Sequence, residues 1–186
     1  MTNGSRKGNG TGDGNWNYTT GNWTGITTKF QEGDYAVFDG TAQIFNVAGQ
    51  TGGVITSGME INSGTYAFTG AVISGNGTFV GENAAQYNTN KLDIKGDANV
   101  TFGNALNFSK GMNIADTATV NLAANSDMTN TAITNLGTLN FTTASDHKGT
   151  LSGNGTFNKT TTGTLTLDST YTGVNGTFNQ DDIGSV

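Results

Sequence analysis

Few side chains in this sequence could carry out chemistry. His147 is the only histidine and follows Ser145 and Asp146 in a polar run, where we expect a solvated loop rather than a catalytic base or a metal ligand. The chain has no cysteine, and no serine lies in the Gly-x-Ser-x-Gly pattern that supports a nucleophile. We therefore predict no catalytic, cofactor-binding or metal-binding residues, and a protein that is not an enzyme.

Paired carboxylates are the chemistry left open, because glycan-cleaving enzymes commonly use two acids around the bond they break. Asp93 and Asp97 could approach each other across a turn, and Asp181 and Asp182 are neighbours in the sequence. Asp93 also stands between two apolar residues with a lysine beyond each of them, so we expect it to form a surface ion pair. A glycan-active enzyme or a carbohydrate-binding module is the alternative function.

The composition restricts the scaffold that could hold any such residues. Gly (29), Thr (33) and Asn (24) make up 86 of the 186 residues, proline is absent, and charged residues are only 12%. No apolar run approaches the 18 residues of a membrane-spanning helix, and a coiled coil or disulfide scaffold is excluded as well. The net charge of −6 argues against nucleic acid as a partner. An all-β protein with many short, polar-faced strands remains.

Internal repeats indicate how those strands are arranged. The hexapeptide SGNGTF occurs at residues 74–79 and 152–157, and GVNGTF follows at 173–178. Short apolar-x-apolar triplets, the mark of strands with one buried face, recur at intervals of 19 to 21 residues. The triplets begin at Phe45, Tyr66, Leu92, Val100, Leu106, Met112, Val120, Leu139 and Leu165.

This period predicts an all-β, right-handed parallel β-helix with about 20 residues and three short strands in each coil. Strands joined by such even, short turns wind onward, so each pairs in parallel with its counterpart one coil later, and parallel crossovers are right-handed. Glycine and asparagine suit the corners, and stacked asparagines can form hydrogen-bonded ladders along the rod. We expect about seven coils between residues 41 and 180.

The chain divides into a lead and one β-helix domain. Residues 1–14 contain nothing that could build a core, so we expect a flexible lead that is partly foreign to the native protein. Residues 15–186 form the domain, with an aromatic N-terminal cap at 15–40 and coils at 41–180. Trp16 and Trp23 belong to the cap; an aromatic sugar-binding platform is the alternative for this segment. The chain is expected to be a fragment of a longer protein.

Two stretches resemble a known family. Gly14-Asn15-Trp16, Gly21-Asn22-Trp23 and residues 33–38 (GDYAVF) resemble the opening of bacterial autotransporter passenger domains. Residues 151–159 (LSGNGTFNK), followed by GTLTL at 163–167 and TYTG at 170–173, are similar to the autotransporter-associated β-strand repeat. The residues between these stretches match by period only.

The resemblance implies an exported protein. Passengers of this family cross the outer membrane and are displayed on the bacterial surface or released, commonly as adhesins or self-associating rods. We therefore expect an extracellular, adhesive fragment that binds a host surface protein or glycan, or another copy of itself, through many weak contacts. The fragment itself is not expected to insert into a membrane. Ice binding through regular threonine arrays is a further alternative.

Overall fold

The computed structural model describes residues 5–8, 14–25, 27–39, 43–47, 52–123, 131–143, 145–147, 149–167 and 171–180. These residues are nearly all in short strands, with one four-residue helix, α1 (Ala84–Tyr87). The strands in chain order are β1 (Ser5–Gly8), β2 (Asn15–Trp16), β3 (Trp23–Thr24), β4 (Tyr35–Asp39), β5 (Gln43–Val47), β6 (Val54–Ile55), β7 (Gly58–Ser63), β8 (Thr65–Gly70), β9 (Ile73–Ser74), β10 (Leu92–Ile94), β11 (Asn99–Gly103), β12 (Leu106–Asn107), β13 (Met112–Ile114), β14 (Thr119–Leu122), β15 (Ile133–Asn135), β16 (Thr138–Phe141), β17 (Ser145–His147), β18 (Leu151–Gly153), β19 (Thr156–Lys159), β20 (Leu165–Leu167), β21 (Tyr171–Val174) and β22 (Thr177–Gln180).

The strands form stacked sheets in which all but one of the described pairs are parallel. A nine-stranded sheet has the order β21-β18-β15-β13-β10-β7-β4-β1-β3, and an eight-stranded sheet has the order β2-β5-β8-β11-β14-β16-β19-β22. A three-stranded sheet, β12-β9-β6, and the pair β17-β20 complete the described strands. The one antiparallel pair among them joins β1 to β3.

Each coil visits the sheets in a fixed order. Strands β7, β8 and β9 lie in the nine-, eight- and three-stranded sheets, and β10, β11 and β12 repeat that path one layer further along the axis. The predicted parallel β-helix with three short strands per coil is therefore confirmed. It has about six turns of about 21 residues, where about seven turns of about 20 were expected. Its hand stays a prediction from the chirality of parallel crossovers.

The predicted spacing also gives the register for most of the rod. Leu92 pairs with Met112, and Val120 pairs with Val100 on one side and Leu139 on the other, as the triplets indicate. The register predicted from the triplet at Phe45 is wrong by two residues, because Phe45 pairs with Phe68 and not with Tyr66. A shift of two keeps every side chain on its own face, so the hydrophobic pattern does not distinguish the two registers.

Inward side chains stack on like residues from coil to coil. In the nine-stranded sheet, Met59, Leu92 and Met112 are register partners and fully buried. In the eight-stranded sheet, the column Phe45, Phe68, Phe102, Leu122 and Phe141 is also buried. The register partner that follows Phe141 is the buried Lys159, whose Nζ donates a hydrogen bond to the carbonyl oxygen of Thr161.

Aromatic rings close the core at its N-terminal end. Trp16 and Trp23 are fully buried, with ring centroids 5.1 Å apart, and Phe30 lies 4.8 Å from Trp23. Phe38 connects this group to the phenylalanine column through Phe68, at 5.2 Å. The expected aromatic cluster is therefore present, and the burial of both tryptophans excludes them from the aromatic sugar-binding platform considered for this segment.

Part of the predicted flexible lead lies in a sheet. Ser5–Gly8 form β1, which pairs in parallel with β4 and antiparallel with β3. Residues without apolar side chains can take this position because the pairing uses only backbone hydrogen bonds. Residues 1–4 and 9–13 of the lead lie outside the described part of the chain.

The two identical hexapeptides occupy different places in the fold. In the second copy, Gly153 ends β18 and Phe157 is buried in the eight-stranded sheet. Gly153 has φ +106°, and a Cβ there would lie 2.0 Å from the carbonyl oxygen of Asn135, so the corner requires glycine. In the first copy β9 ends at Ser74, Gly75 and Gly77 still donate backbone hydrogen bonds to the neighbouring coils, and Phe79 packs outside the core. The 78-residue spacing is therefore not a repeat of one structural position.

Candidate functional site

One coil is longer than its neighbours. Met59 of β7 pairs with Leu92, 33 positions further along the chain, whereas Leu92 pairs with Met112, 20 positions on. The additional residues lie between β9 and β10, and we call residues 75–91 the excursion. Insertions into a solenoid coil project from one face and often form the binding surface.

Asparagine side chains fix the shape of the excursion. Asn88 Oδ1 accepts a hydrogen bond from the backbone N–H of Phe79 at 2.6 Å, and Asn88 Nδ2 donates to the carbonyl oxygen of the same residue at 3.1 Å. Asn90 Nδ2 donates to the carbonyl oxygens of Gly75 and Gly77, at 2.7 and 3.0 Å. The two ends of the excursion are therefore joined to each other by side-chain amides.

The excursion packs against the outer side of the nine-stranded sheet. Tyr87 lies 5.4 Å from Tyr35 and 4.8 Å from Phe79, measured between ring centroids. Together with Val37 and Ala84 these residues form a second hydrophobic cluster, separate from the core, which we call the outer aromatic cluster. Aromatic pairs at such separations contribute about 0.5–1.5 kcal/mol beyond their burial, so the cluster holds the excursion on the sheet.

An open cavity of about 440 Å³ lies beside this cluster. Its floor is the outward face of β4, β7 and β10, and its wall is the excursion, so a regular coil would not form it. Three carboxylates and one ammonium group face it, which makes its lining net negative. We call it the acidic cavity; it is lined by Tyr35, Val37, Asp39, Glu60, Asn62, Gln86, Tyr87, Thr89, Asp93 and Lys95.

Glu60 is the most heavily bonded carboxylate of the cavity. Lys95 Nζ lies 2.6 Å from Glu60 Oε2, and Asn62 Nδ2 donates to Oε1 at 3.3 Å. Tyr35 and Thr89 line the same cavity. Burial, with the negative charges of Glu60 and Asp93 nearby, raises the pKa of Tyr35 far above its usual value, so the phenol stays protonated.

Asp93 sits beside Glu60 in the same cavity. The two residues are register partners on β10 and β7, where strand spacing places their backbones about 4.8 Å apart and adjacent carboxylates repel. Asn113 offsets that repulsion by donating from Nδ2 to Asp93 Oδ1 at 2.6 Å. Within the described residues nothing donates to Asp93 Oδ2, so this oxygen is left to accept a hydrogen bond from a ligand.

The ion pair expected for Asp93 is replaced by a different arrangement. Lys95, two residues along the chain, pairs with Glu60 across the sheet, and Asp93 is bonded to an amide. Asp97 lies exposed in the turn after β10 and does not line the cavity, so the structure does not bring it together with Asp93. Asp181 and Asp182 lie outside the described residues.

His147 is buried, contrary to the predicted solvated loop. It is the last residue of β17, pairs with Leu167 of β20, and exposes only 2% of its surface. The error has a physical origin, because backbone pairing forms this strand although none of its three residues is apolar. Burial disfavours the charged imidazolium and lowers the pKa of His147 to about 4, so the ring is neutral at pH 7.

A second surface, the outward face of the eight-stranded sheet, is flat and polar. Asn140 Nδ2 donates to Asn121 Oδ1 at 2.7 Å, and Asn158 Nδ2 donates to Asn140 Oδ1 at 2.8 Å. At one end Asn179 Nδ2 donates to Asn158 Oδ1 at 2.8 Å. At the other end Asn121 Nδ2 donates diagonally to Asn99 Oδ1 at 3.0 Å, because the register partner of Asn121 is Thr101. We call these five residues the asparagine ladder. The predicted hydrogen bonding between stacked asparagines is confirmed.

A column of threonines runs beside the ladder. Thr119, Thr138, Thr156 and Thr177 are successive register partners on β14, β16, β19 and β22. Parallel pairing spaces their hydroxyl and methyl groups about 4.8 Å apart along the rod. We call these four residues the threonine column; with the asparagine ladder it presents a regular array of donors, acceptors and methyl groups.

The sequence contains one signal for the cavity. Between Ser74 and Leu92 the apolar-x-apolar pattern stops, which marks a segment that is not part of the regular coil. The partners of this segment, Tyr35 and Glu60, are distant in the sequence and carry no local signature. They line the cavity only because the excursion folds over the outward face of their strands.

Neither a metal cluster nor a membrane-spanning helix is present among the described residues. No three histidine or carboxylate side chains in that part of the chain lie close enough to hold a metal ion. Within the same ranges, no helix has the length and hydropathy needed to cross a bilayer.

Compared with protein-family models, curated proteins and solved structures, the chain shows no significant match to any of them. The physical basis for a function is therefore the geometry of the excursion, the acidic cavity and the polar face.

Proposed function

We propose that this chain is a non-enzymatic segment of an exported bacterial surface protein that adheres through a multivalent polar face. The face is the threonine column with the asparagine ladder beside it. It binds a glycan-bearing or protein host surface, or the same face of another rod, by many weak hydrogen bonds in register. The segment acts outside the cell as a passenger of the autotransporter type.

The observation that carries this proposal is the regularity of the face. Asn121, Asn140 and Asn158 each occupy the same position in successive coils and are held by the ladder hydrogen bonds. Such side chains are preorganised, so a partner does not need to immobilise them one by one, which lowers the entropic cost of each contact. A rod that repeats one weak contact at a fixed spacing gains affinity through effective concentration.

The adhesion test uses two matched double variants. Thr138→Lys with Thr156→Lys changes the threonine column, and Thr134→Lys with Ser152→Lys makes the same charge change on the outward face of the nine-stranded sheet. We expect the first variant to lose most of the binding of fluorescently labelled protein to epithelial cells and most of its self-association in sedimentation velocity. The second variant is expected to retain both. Equal losses in the two variants, or no binding by the unchanged protein, would contradict the proposal.

The non-enzymatic part of the proposal has its own measurement. Incubation with neutral and acidic polysaccharides is expected to release no reducing ends or unsaturated products above the buffer level. Asp93→Asn and Asp97→Asn are the controls, because only the first residue lines the acidic cavity. Turnover that Asp93→Asn abolishes and Asp97→Asn leaves intact would identify a glycan-cleaving enzyme instead.

A further inference from the structure

We infer that the acidic cavity is a binding site for a neutral saccharide, distinct from the polar face of the eight-stranded sheet. The starting observation is the excursion, which lengthens one coil of the solenoid. It has its own hydrophobic cluster and is held by side-chain hydrogen bonds of Asn88 and Asn90. A coil of regular length would leave the outward side of β4, β7 and β10 as an open sheet face. The excursion turns that face into a cavity.

The size of the cavity fits a small ligand. Its volume of about 440 Å³ lies within the range of small-molecule sites, roughly 300–1,000 Å³. Tyr87 is half-buried; its ring packs on Tyr35 and Phe79, and the residue also lines the cavity. It therefore offers an apolar surface to the C–H groups of a sugar ring, on a side chain whose position is already fixed.

The net negative charge of the lining selects against anionic ligands. Asp39, Glu60 and Asp93 repel an anion such as a uronate or a phosphate. Lys95 already neutralises Glu60 through a 2.6 Å ion pair, and its ammonium group would repel an amine brought to the same carboxylate. A neutral ligand avoids both costs.

The hydrogen-bonding groups of the lining suit hydroxyls in particular. Gln86 and Asn62 each carry an amide that both donates and accepts, and Asp93 Oδ2 accepts only. A cation can donate but not accept, so it would pair with the carboxylates and leave the exposed Gln86 amide to water. Sugar hydroxyls donate and accept at once and satisfy both kinds of group, which is why a polyhydroxylated ligand fits best.

The binding experiment uses defined neutral probes. Maltohexaose, cellohexaose, mannohexaose and chitohexaose are titrated separately into the ¹⁵N-labelled full chain, followed by amide chemical shifts and by calorimetry. We expect at least one of them to bind, with shifts concentrated at residues 35, 60, 86–89 and 93. Hexagalacturonate and spermine are the anionic and cationic probes, and neither is expected to bind there.

Substitutions then locate the site. Asp93→Asn keeps an oxygen that can accept from Asn113 but removes the charge, and the lost charge-assisted hydrogen bond is expected to weaken binding about tenfold. Gln86→Ala removes an exposed side chain with no core contacts and is expected to weaken binding as well. Asp97→Asn makes the same charge change outside the cavity and is expected to leave the dissociation constant unchanged.

Three results would overturn the inference: no shifts with any of the four neutral probes, binding of hexagalacturonate or spermine in their place, or equal effects of Asp93→Asn and Asp97→Asn. The variants of the threonine column serve as a separate control. They are expected to bind the saccharide normally, so a failure of the adhesion proposal and a failure of this inference give different patterns.

Discussion

At the scale of single residues, burial determines how the ionisable groups behave, and the sequence indicated this poorly. His147 stands in a polar run, so alternation of apolar and polar residues could not reveal that it faces inward. Asp93 was correctly placed facing outward, but its partner is an amide from the next coil and not a neighbouring lysine. Contacts between coils are set by register, which short local patterns define only to within two residues.

The depressed pKa of His147 predicts an acid-sensitive fold. The unfolded chain takes up the proton near pH 6.5, whereas the folded chain resists protonation until about pH 4. Between these values the unfolded state binds more protons, so stability present above pH 6.5 is lost as the pH falls towards 4, by up to about 3 kcal/mol. Urea midpoints measured between pH 7.5 and 4.5 give this slope.

The control for this prediction is the variant His147→Leu. Carboxylates also titrate near pH 4, but they are common to both proteins, so the difference between the two pH profiles isolates the histidine. We expect the variant to lose less stability than the unchanged protein between pH 7 and 5. Parallel profiles, or an imidazole that titrates near pH 6.5 by NMR in the folded protein, would show that His147 is not kept neutral by burial.

At the scale of elements, the triplets correctly located strands, but the sequence did not predict the path of the segments between them. Leu92, Val100 and Met112 begin triplets that lie in β10, β11 and β13, because each alternates a buried with an outward side chain in the way a half-buried strand requires. The hexapeptide at residues 74–79 was misleading, since a short Gly/Asn turn is compatible with both a coil corner and an exit from the coil. The residues after the turn decide between the two.

The asparagine ladder predicts graded losses of stability. Asn140 makes two ladder hydrogen bonds, one to Asn121 and one from Asn158, whereas Asn179 at the end makes one. Partly buried hydrogen bonds contribute about 0.5–1.5 kcal/mol each, so Asn140→Ala is expected to lower the free energy of unfolding by about 1–3 kcal/mol. Asn179→Ala is expected to cost about half as much or less, because this residue is also exposed.

Denaturant titration followed by circular dichroism measures both variants under the same conditions. The matched comparison removes the effect of replacing asparagine by alanine on an outward strand position. Equal losses for Asn140→Ala and Asn179→Ala would mean that the ladder bonds add nothing beyond strand propensity.

At the scale of the whole molecule, the period of the sequence was sufficient to predict the architecture. Parallel stacking follows because strands of three or four residues, joined by short and even turns, wind onward to an equivalent position after about 20 residues. The period did not predict the acidic cavity. It forms where an irregular segment folds back on strands from other coils, and Tyr87 reaches Tyr35 only in the folded rod.

Each coil contacts only its neighbours, so continuity of the core column determines how far stability is shared. Phe68 is the second residue of this column and fully buried, with the rings of Phe38, Phe45 and Phe102 within 5.7 Å. Phe178 belongs to β22 and exposes 41% of its surface. The same residue type therefore occupies the two extremes of packing in one rod.

Phe68→Ala is expected to destabilise the fold by about 3–5 kcal/mol, because it removes a buried ring and leaves a cavity in the column. Phe178→Ala is expected to cost less than about 1 kcal/mol, since that ring is already partly in water. Thermal unfolding followed by the fluorescence of Trp16 and Trp23 measures both, and Phe68→Leu provides a milder variant if the alanine protein does not fold. A Phe178→Ala protein as unstable as Phe68→Ala would mean that the last described coil, and not the aromatic column, limits stability.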